Sequence, residues 1–215
     1  MVPGFDPTLL LWLNLLGTFV FGLSGGLAAV RAHLDAFGVV ALAAVVALAG
    51  GIIRDLLIGT PPETFRDWRY LAAVGAAGLV SFFAGSALNR IHRGVQVFDA
   101  MGLAVFCVTG ASKAMTFGLG PAQAIILGAI TGIGGGMLRD VLLGETPTVL
   151  RQELYAIPAL LGAGVVVAAD AAGSFSPVFP ILGAGLCFAT RMIGLHYNID
   201  APTAPSDRPR RRSTD

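Results

Sequence analysis

The sequence predicts an all-α polytopic membrane protein, with seven transmembrane helices set out as two inverted three-helix repeats and a seventh helix outside them. Three observations carry this. Residues are 55% hydrophobic and only 13% charged, with a mean hydropathy of +0.77, against about 25% charged in an ordinary soluble domain. A chain of 215 residues folded in water still needs a polar surface, so bilayer is the solvent that fits. Apolar runs of spanning length recur along the chain. Finally, Gly50-Gly51-Ile52-Ile53-Arg54-Asp55-Leu56-Leu57-Ile58-Gly59 returns 85 residues later as Gly135-Gly136-Met137-Leu138-Arg139-Asp140-Val141-Leu142-Leu143-Gly144.

A spanning helix takes about 20 mostly apolar residues. Seven segments are read as spans, at about 8–30, 37–58, 70–88, 95–115, 121–143, 154–169 and 177–195. Asp6 and Pro7 supply a cap and a first-turn residue for the first. Pro158 and Pro180 fall near helix starts, where proline is tolerated. The first run is too long for a cleavable signal, and Asp6 stands where a basic n-region belongs. Residues 1–198 are therefore expected to form one transmembrane domain, with repeat one at about 8–88, repeat two at about 95–170 and the seventh helix at about 177–195. Residues 199–215, with Pro202, Pro205, Pro209 and a cluster of arginines, read as a disordered basic tail.

Seven spans put the termini on opposite sides. Arg31, Arg90, Arg93, Arg151, Arg191, Arg208, Arg210, Arg211 and Arg212 fall on the C-terminal side, against Arg66, Arg69 and the nearby Lys113 on the other. The positive-inside rule then places the C-terminus in the cytoplasm and the N-terminus outside. The 85-residue offset also pairs Gly17 with Gly102, Phe21 with Phe106, Gly25 with Gly110, Pro62 with Pro147, Arg66 with Arg151 and Tyr70 with Tyr155. Chance apolar similarity matches Leu, Val and Ala; it does not keep Gly, Arg, Asp, Pro and Tyr in register. Each copy holds three spans, an odd number, so the copies enter the membrane in opposite directions.

Several classes of function are excluded. A net charge of +1 gives no footprint for nucleic acid. Cys107 and Cys187 sit in apolar runs and read as small buried residues. No metal-ligand spacing surrounds them or His33, His92 and His196. There is no Ser/His/Asp set and no zinc helix motif, so the chain is not read as an enzyme, and no cofactor or metal is expected.

The repeated segment carries the chemistry. Gly50 and Gly51, and Gly134, Gly135 and Gly136, interrupt the second and fifth helices, each glycine weakening a helix by about 1 kcal/mol relative to alanine. Two readings stand side by side: close packing of backbones, and a kink that turns backbone groups toward a pathway. Ala49 stands where the second copy has Gly134, so the copies are unequal. Arg54-Asp55 and Arg139-Asp140 follow. Neighbours on a helix point about 100° apart, so neither pair is expected to close on itself while the helix continues. An unpaired charge in hydrocarbon costs several kcal/mol, so each needs a partner. Depth predicts that Asp99 contacts Arg139 and that Asn14, the repeat mate of Asp99, contacts Arg54 more weakly; the alternative is that these charges snorkel into headgroups. Lys113, the only lysine, has Ala28 as its mate and reads either as a snorkelling residue or as a gating charge. Ser24 and Thr109, mates by the same offset, offer hydroxyls to a pathway or to their own helices. The basic tail suits anionic headgroups as well as topology.

Two three-helix repeats, each with a glycine-rich segment leading into Arg-Asp, and a seventh helix beyond them resemble the prokaryotic trimeric intracellular cation channels, sequences also classed as a glycine-transporter-like family. The resemblance covers about residues 8–195. It implies a homotrimer in a prokaryotic-type plasma membrane, with one pore per subunit, permeant to monovalent cations and chiefly potassium. It also implies a pore lined by the first, second, fourth and fifth helices. On this resemblance Gly50, Gly51, Gly134, Gly135, Gly136, Arg54, Arg139 and Asp140 fall at the pore, and Lys113 resembles a fourth-helix lysine tied to gating. The residues themselves leave two other readings open: a carrier of glycine or a similarly small substrate, and a lipid-binding membrane protein without a pathway.

Overall fold

A computed structural model describes residues 6–88, 94–150 and 154–199. It contains α1 (Pro7–Arg31), α2 (Ala36–Ile58), α3 (Trp68–Leu88), α4 (Gly94–Thr116), α5 (Pro121–Leu142), α6 (Ala156–Ala171) and α7 (Val178–Tyr197), with single 3-10 turns at Glu63–Phe65 and Thr148–Leu150. No strand occurs among the described residues. Asp6 caps α1 through Thr8 N at 2.7 Å, with Pro7 in the first turn. Asp35 caps α2 in the same way through Gly38 N at 2.7 Å. Both α2 and α5 are followed by a glycine in the left-handed region, Gly59 at φ 82° and Gly144 at φ 73°, a conformation that costs a side-chain-bearing residue and so ends each helix at the same repeat position.

Six of the helices are long and apolar enough to cross a membrane. The sixth, α6, has 16 residues and rises only about 24 Å, short of a hydrocarbon core of about 30 Å. Seven helices are present where seven spans are expected, and six of them have spanning length. Large apolar side chains face outward along the bundle, among them Trp12, Phe37, Phe83, Leu161 and Ile181, as lipid-facing surface requires. Arg54 and Asp55, and Arg139 with Asp99 and Asp140, are buried inside the bundle as ion pairs.

The core is built around α1 and α4, the most enclosed helices, each with 72% of its spanning window buried. α1 packs on α2, α3 and α4; α4 packs on α1, α5, α6 and α7. Phe21 of α1 meets Phe106 of α4 with ring centroids 5.4 Å apart. A side chain at Gly17 would meet the Phe106 ring, and one at Gly102 would meet the Phe21 ring. These contacts obey the 85-residue offset in both directions.

The glycine-rich segments show the same reciprocity. α2 crosses α5 with Gly50 against the carbonyl of Thr131 and Gly135 against the carbonyl of Val46. Both helices run without interruption through these residues, and Gly50 and Gly135 serve close approach. Gly134 is likewise packed, 3.3 Å from the α carbon of Gly50 to where its side chain would begin. Gly51 differs: nothing lies within 4 Å of the side chain it lacks. The tail, apart from Ile199, and Arg90, Arg93 and Arg151 lie outside the described residues.

Candidate functional site: two charge clusters and a cavity

At the C-terminal end of α2, Arg54 and Asp55 are 2% and 1% exposed. Arg54 Nε donates to Asp55 Oδ1 at 2.8 Å. The adjacent pair does close on itself, contrary to the angular argument: the arginine side chain is long enough to curl back around the helix to its neighbour. Lys113 reaches in from α4, its Nζ 2.8 Å from Asp55 Oδ1 and 2.8 Å from Glu63 Oε1. Arg54 Nη2 lies 3.9 Å from Glu63 Oε2, which also accepts from the Tyr70 hydroxyl at 3.0 Å. Asp55 Oδ2 accepts from the backbone N–H of Glu63 at 3.0 Å. Lys113 is therefore an ion-pair partner rather than a snorkelling residue. Asn14, expected to contact Arg54 weakly, faces the same small cavity as Arg54, and Arg54 Nη1 is buried there without a hydrogen-bond partner.

At the end of α5, Arg139 is held more completely. Its Nη1 donates to Asp99 Oδ1 at 2.6 Å and to Ser24 Oγ at 2.7 Å. Its Nε and Nη2 donate to Asp140 Oδ1 at 3.0 and 2.8 Å. The expected Asp99–Arg139 contact is present. Asp140 Oδ2 accepts from Thr148 N at 2.7 Å and Thr148 Oγ1 at 2.8 Å, as Asp55 accepts from Glu63, the repeat mate of Thr148. Each aspartate thus ties its helix end to the 3-10 turn eight residues on. Asp99→Asn is expected to lower the melting temperature in detergent, because cutting one carboxylate from a buried pair costs about 3–5 kcal/mol; an unchanged melt would remove this pair from the account of stability.

A cavity of about 400 Å³ opens above the α2 cluster, between the start of α1, the first 3-10 turn, the start of α3 and the end of α4. Asn14, Glu63, Arg66, Tyr70, Thr109 and Lys113 face it. The hydroxyl of Thr109 is buried without a protein partner. Asp67, also at this cavity, is gripped by the Arg69 guanidinium at 2.6–2.9 Å, which holds its carboxyl below the usual range. A second, much smaller cavity of about 10 Å³ shares Asn14, Glu63 and Tyr70 with the first and is bounded by Gly51, Arg54, Asp55 and Phe106, room for about one water.

Sequence reasoning missed Glu63, Thr148, Tyr155 and Arg191 as members of these clusters. The repeat register held a signal for the first three, because they sit at matching offsets. Arg191, 2% exposed on α7, stacks over the Tyr155 ring at 4.7 Å and donates Nη1 to Leu154 O at 2.9 Å; it has no repeat mate to flag it. No group of three His, Cys, Asp or Glu side chains is placed to hold a metal ion among the described residues.

A helical bundle with ion-paired charges inside an apolar belt is the architecture of a polytopic membrane protein. The profile of the glycine transporter family matches the chain twice, at residues 11–86 and 96–171. A UPF0126 membrane protein of Streptomyces coelicolor is 50% identical over 206 residues, 95% of this chain and 94% of the relative. The UPF0126 inner membrane protein YadS of Escherichia coli is 34% identical over 204 residues, 93% of this chain and 98% of that one. The solved trimeric intracellular cation channel orthologue of Rhodobacter sphaeroides superposes with a TM-score of 0.85 at 38% identity, covering 89% of this chain and all of that one. The chain belongs to this glycine transporter (UPF0126) family, whose solved relatives carry the name trimeric intracellular cation channels. It is a membrane protein of a channel family and not an enzyme.

Proposed function

We propose that the chain is a potassium-permeable monovalent cation channel of a prokaryotic plasma membrane, with one pathway in each subunit of a homotrimer. The observation that carries this reading is the cavity of about 400 Å³ at one end of the bundle, lined by the Lys113–Glu63 ion pair, to which Asp55 and Arg54 are linked. A channel with its arginines neutralised by carboxylates can pass cations; bare arginines would repel them. The pathway runs between α1, α2, α4 and α5, along the line of reciprocal glycine contacts. The two three-helix repeats are inverted across the membrane, with the α2 cluster toward the outside and the α5 cluster toward the cytoplasm. The N-terminus is outside and the C-terminus inside, the side that carries Arg31 and Arg191. α6 crosses as a short span, met by local thinning of the bilayer or by neighbouring helices. The basic tail engages anionic headgroups. In the conformation described, the pathway is closed at Lys113.

A second reading, a carrier for glycine or a similarly small substrate, draws on the presence of both cations (Lys113, Arg66) and carboxylates (Glu63, Asp67) around one cavity, which suits a zwitterion. Purified protein in planar bilayers under an asymmetric potassium gradient separates the two. The channel reading expects unitary currents reversing near the potassium equilibrium potential. Saturable glycine uptake without conductance would replace it with the carrier.

A further inference from the structure

The two ends of the pathway are closed by different means. Gly51 and Gly136 are repeat mates. Beside Gly51 there is open space, and it lines the small cavity. Beside Gly136 the same notch is filled: a side chain there would meet the Tyr155 hydroxyl at 2.5 Å and Asp99 Oδ1 at 2.8 Å. Tyr70, the mate of Tyr155, gives its hydroxyl to Glu63 at the wall of the outer cavity. The Tyr155 hydroxyl is buried without a hydrogen-bond partner. A buried polar group left unbonded is costly, so something other than a hydrogen bond keeps the phenol in place. That contact is visible. Arg191 of α7 lies over the Tyr155 ring at 4.7 Å and anchors itself on the adjoining Leu154 carbonyl at 2.9 Å.

We infer that Tyr155 is the inner plug of the pathway, seated in the notch at Gly136, and that Arg191 is the positioning residue that latches it there. The inference rests on the channel reading above. Leaving the notch breaks no hydrogen bond of the phenol; the ring is held by its packing in the buried core and by the stacking on Arg191. It also gives α7, which lies outside the repeat, a task that the repeats do not share. The outer end closes by ion pairs; the inner end closes by an aromatic ring held from behind.

The test uses full-length protein in bilayers and nanodiscs. Arg191→Gln is expected to raise the open-to-closed ratio about tenfold, the change that ~1.4 kcal/mol produces. Arg191→Lys is expected to fall between it and wild type. Tyr155→Phe, which keeps the ring over Arg191 and removes the unbonded hydroxyl, should move the ratio in the opposite direction by a smaller factor. Unitary conductance should stay constant in all three. Hydroxyl-radical footprinting read by mass spectrometry gives a measure independent of current: Tyr155 should be protected in wild type and labelled several-fold faster in Arg191→Gln, with Tyr70 unaffected. If Arg191→Gln fails to assemble, Arg191→Lys and Tyr155→Phe decide. Wild-type gating together with wild-type protection in the variants would overturn the plug. Absence of current in wild type would remove the channel reading, and footprinting would still report whether Arg191 holds Tyr155.

Discussion

Lys113→Ala is expected to raise the open-to-closed ratio of potassium currents by about tenfold or more and to flatten their voltage dependence. In the wall of the outer cavity, Lys113 Nζ lies 2.8 Å from carboxylate oxygens of both Asp55 and Glu63, and these residues come from a helix end and the turn that follows it. One ammonium therefore pins two elements at that wall. A hydrogen bond to a charged group contributes about 1.5–3 kcal/mol, and Glu63, being 40% exposed, belongs at the lower end of that range through solvent screening. Without the lysine, Asp55 keeps Arg54 and its backbone donor at Glu63, so the fold survives while the constriction loses its bridge and its positive charge. The repeat itself supports tolerance, because Ala28 occupies the matching position at the other end. The expected change in voltage dependence follows from the charge of the lysine: a unit charge moved across the full membrane changes the balance by about 2.3 kcal/mol per 100 mV. Lys113→Arg should keep most of the voltage dependence. Currents from Lys113→Ala with wild-type open probability at every voltage would strip the lysine of its gating role.

How much of this was legible in the sequence follows from which interactions have a register. Hydropathy located the helices to within a residue or two at most ends. The 85-residue offset identified the aspartate that meets Arg139, because both depth and repeat position pointed to Asp99. The angular argument failed for Arg54. It treated side chains as spokes fixed at about 100° and ignored the flexible length of arginine, which returns to Asp55. The role of Glu63 was hidden because it is partly a backbone role: its N–H caps Asp55, and a backbone donor leaves no mark on residue identity. Arg191 was hidden for another reason. It enters from the unrepeated helix, and in sequence it looked like one more cytoplasmic arginine. Glycine was legible as special but not as to purpose; its neighbours across the α2–α5 crossing decide that.

Those neighbours set the other large expected effect. Gly50→Ala and Gly135→Ala should each cost at least the upper part of the ~1–3 kcal/mol range for overpacking, while Gly51→Ala should be close to neutral for folding. At Gly50 the added methyl would run into the carbonyl oxygen of Thr131, and at Gly135 into that of Val46. Neither obstacle can rotate away, because both are backbone atoms of a continuous helix. The whole crossing of α2 on α5 has to widen, and it sits between the two charge clusters, so widening also pulls Asp55 and Asp140 out of register with the turns they hold. At Gly51 nothing stands within 4 Å, and alanine is the better helix former by about 1 kcal/mol. The comparison therefore separates close approach from helix flexibility. If glycine mattered for a flexible helix, Gly51→Ala would damage function about as much as its neighbour does. If it matters for contact, thermal melts and size-exclusion profiles in detergent will show Gly50→Ala and Gly135→Ala both impaired and Gly51→Ala intact. Equal stability of all three variants would remove the close-packed crossing as the reason for these glycines.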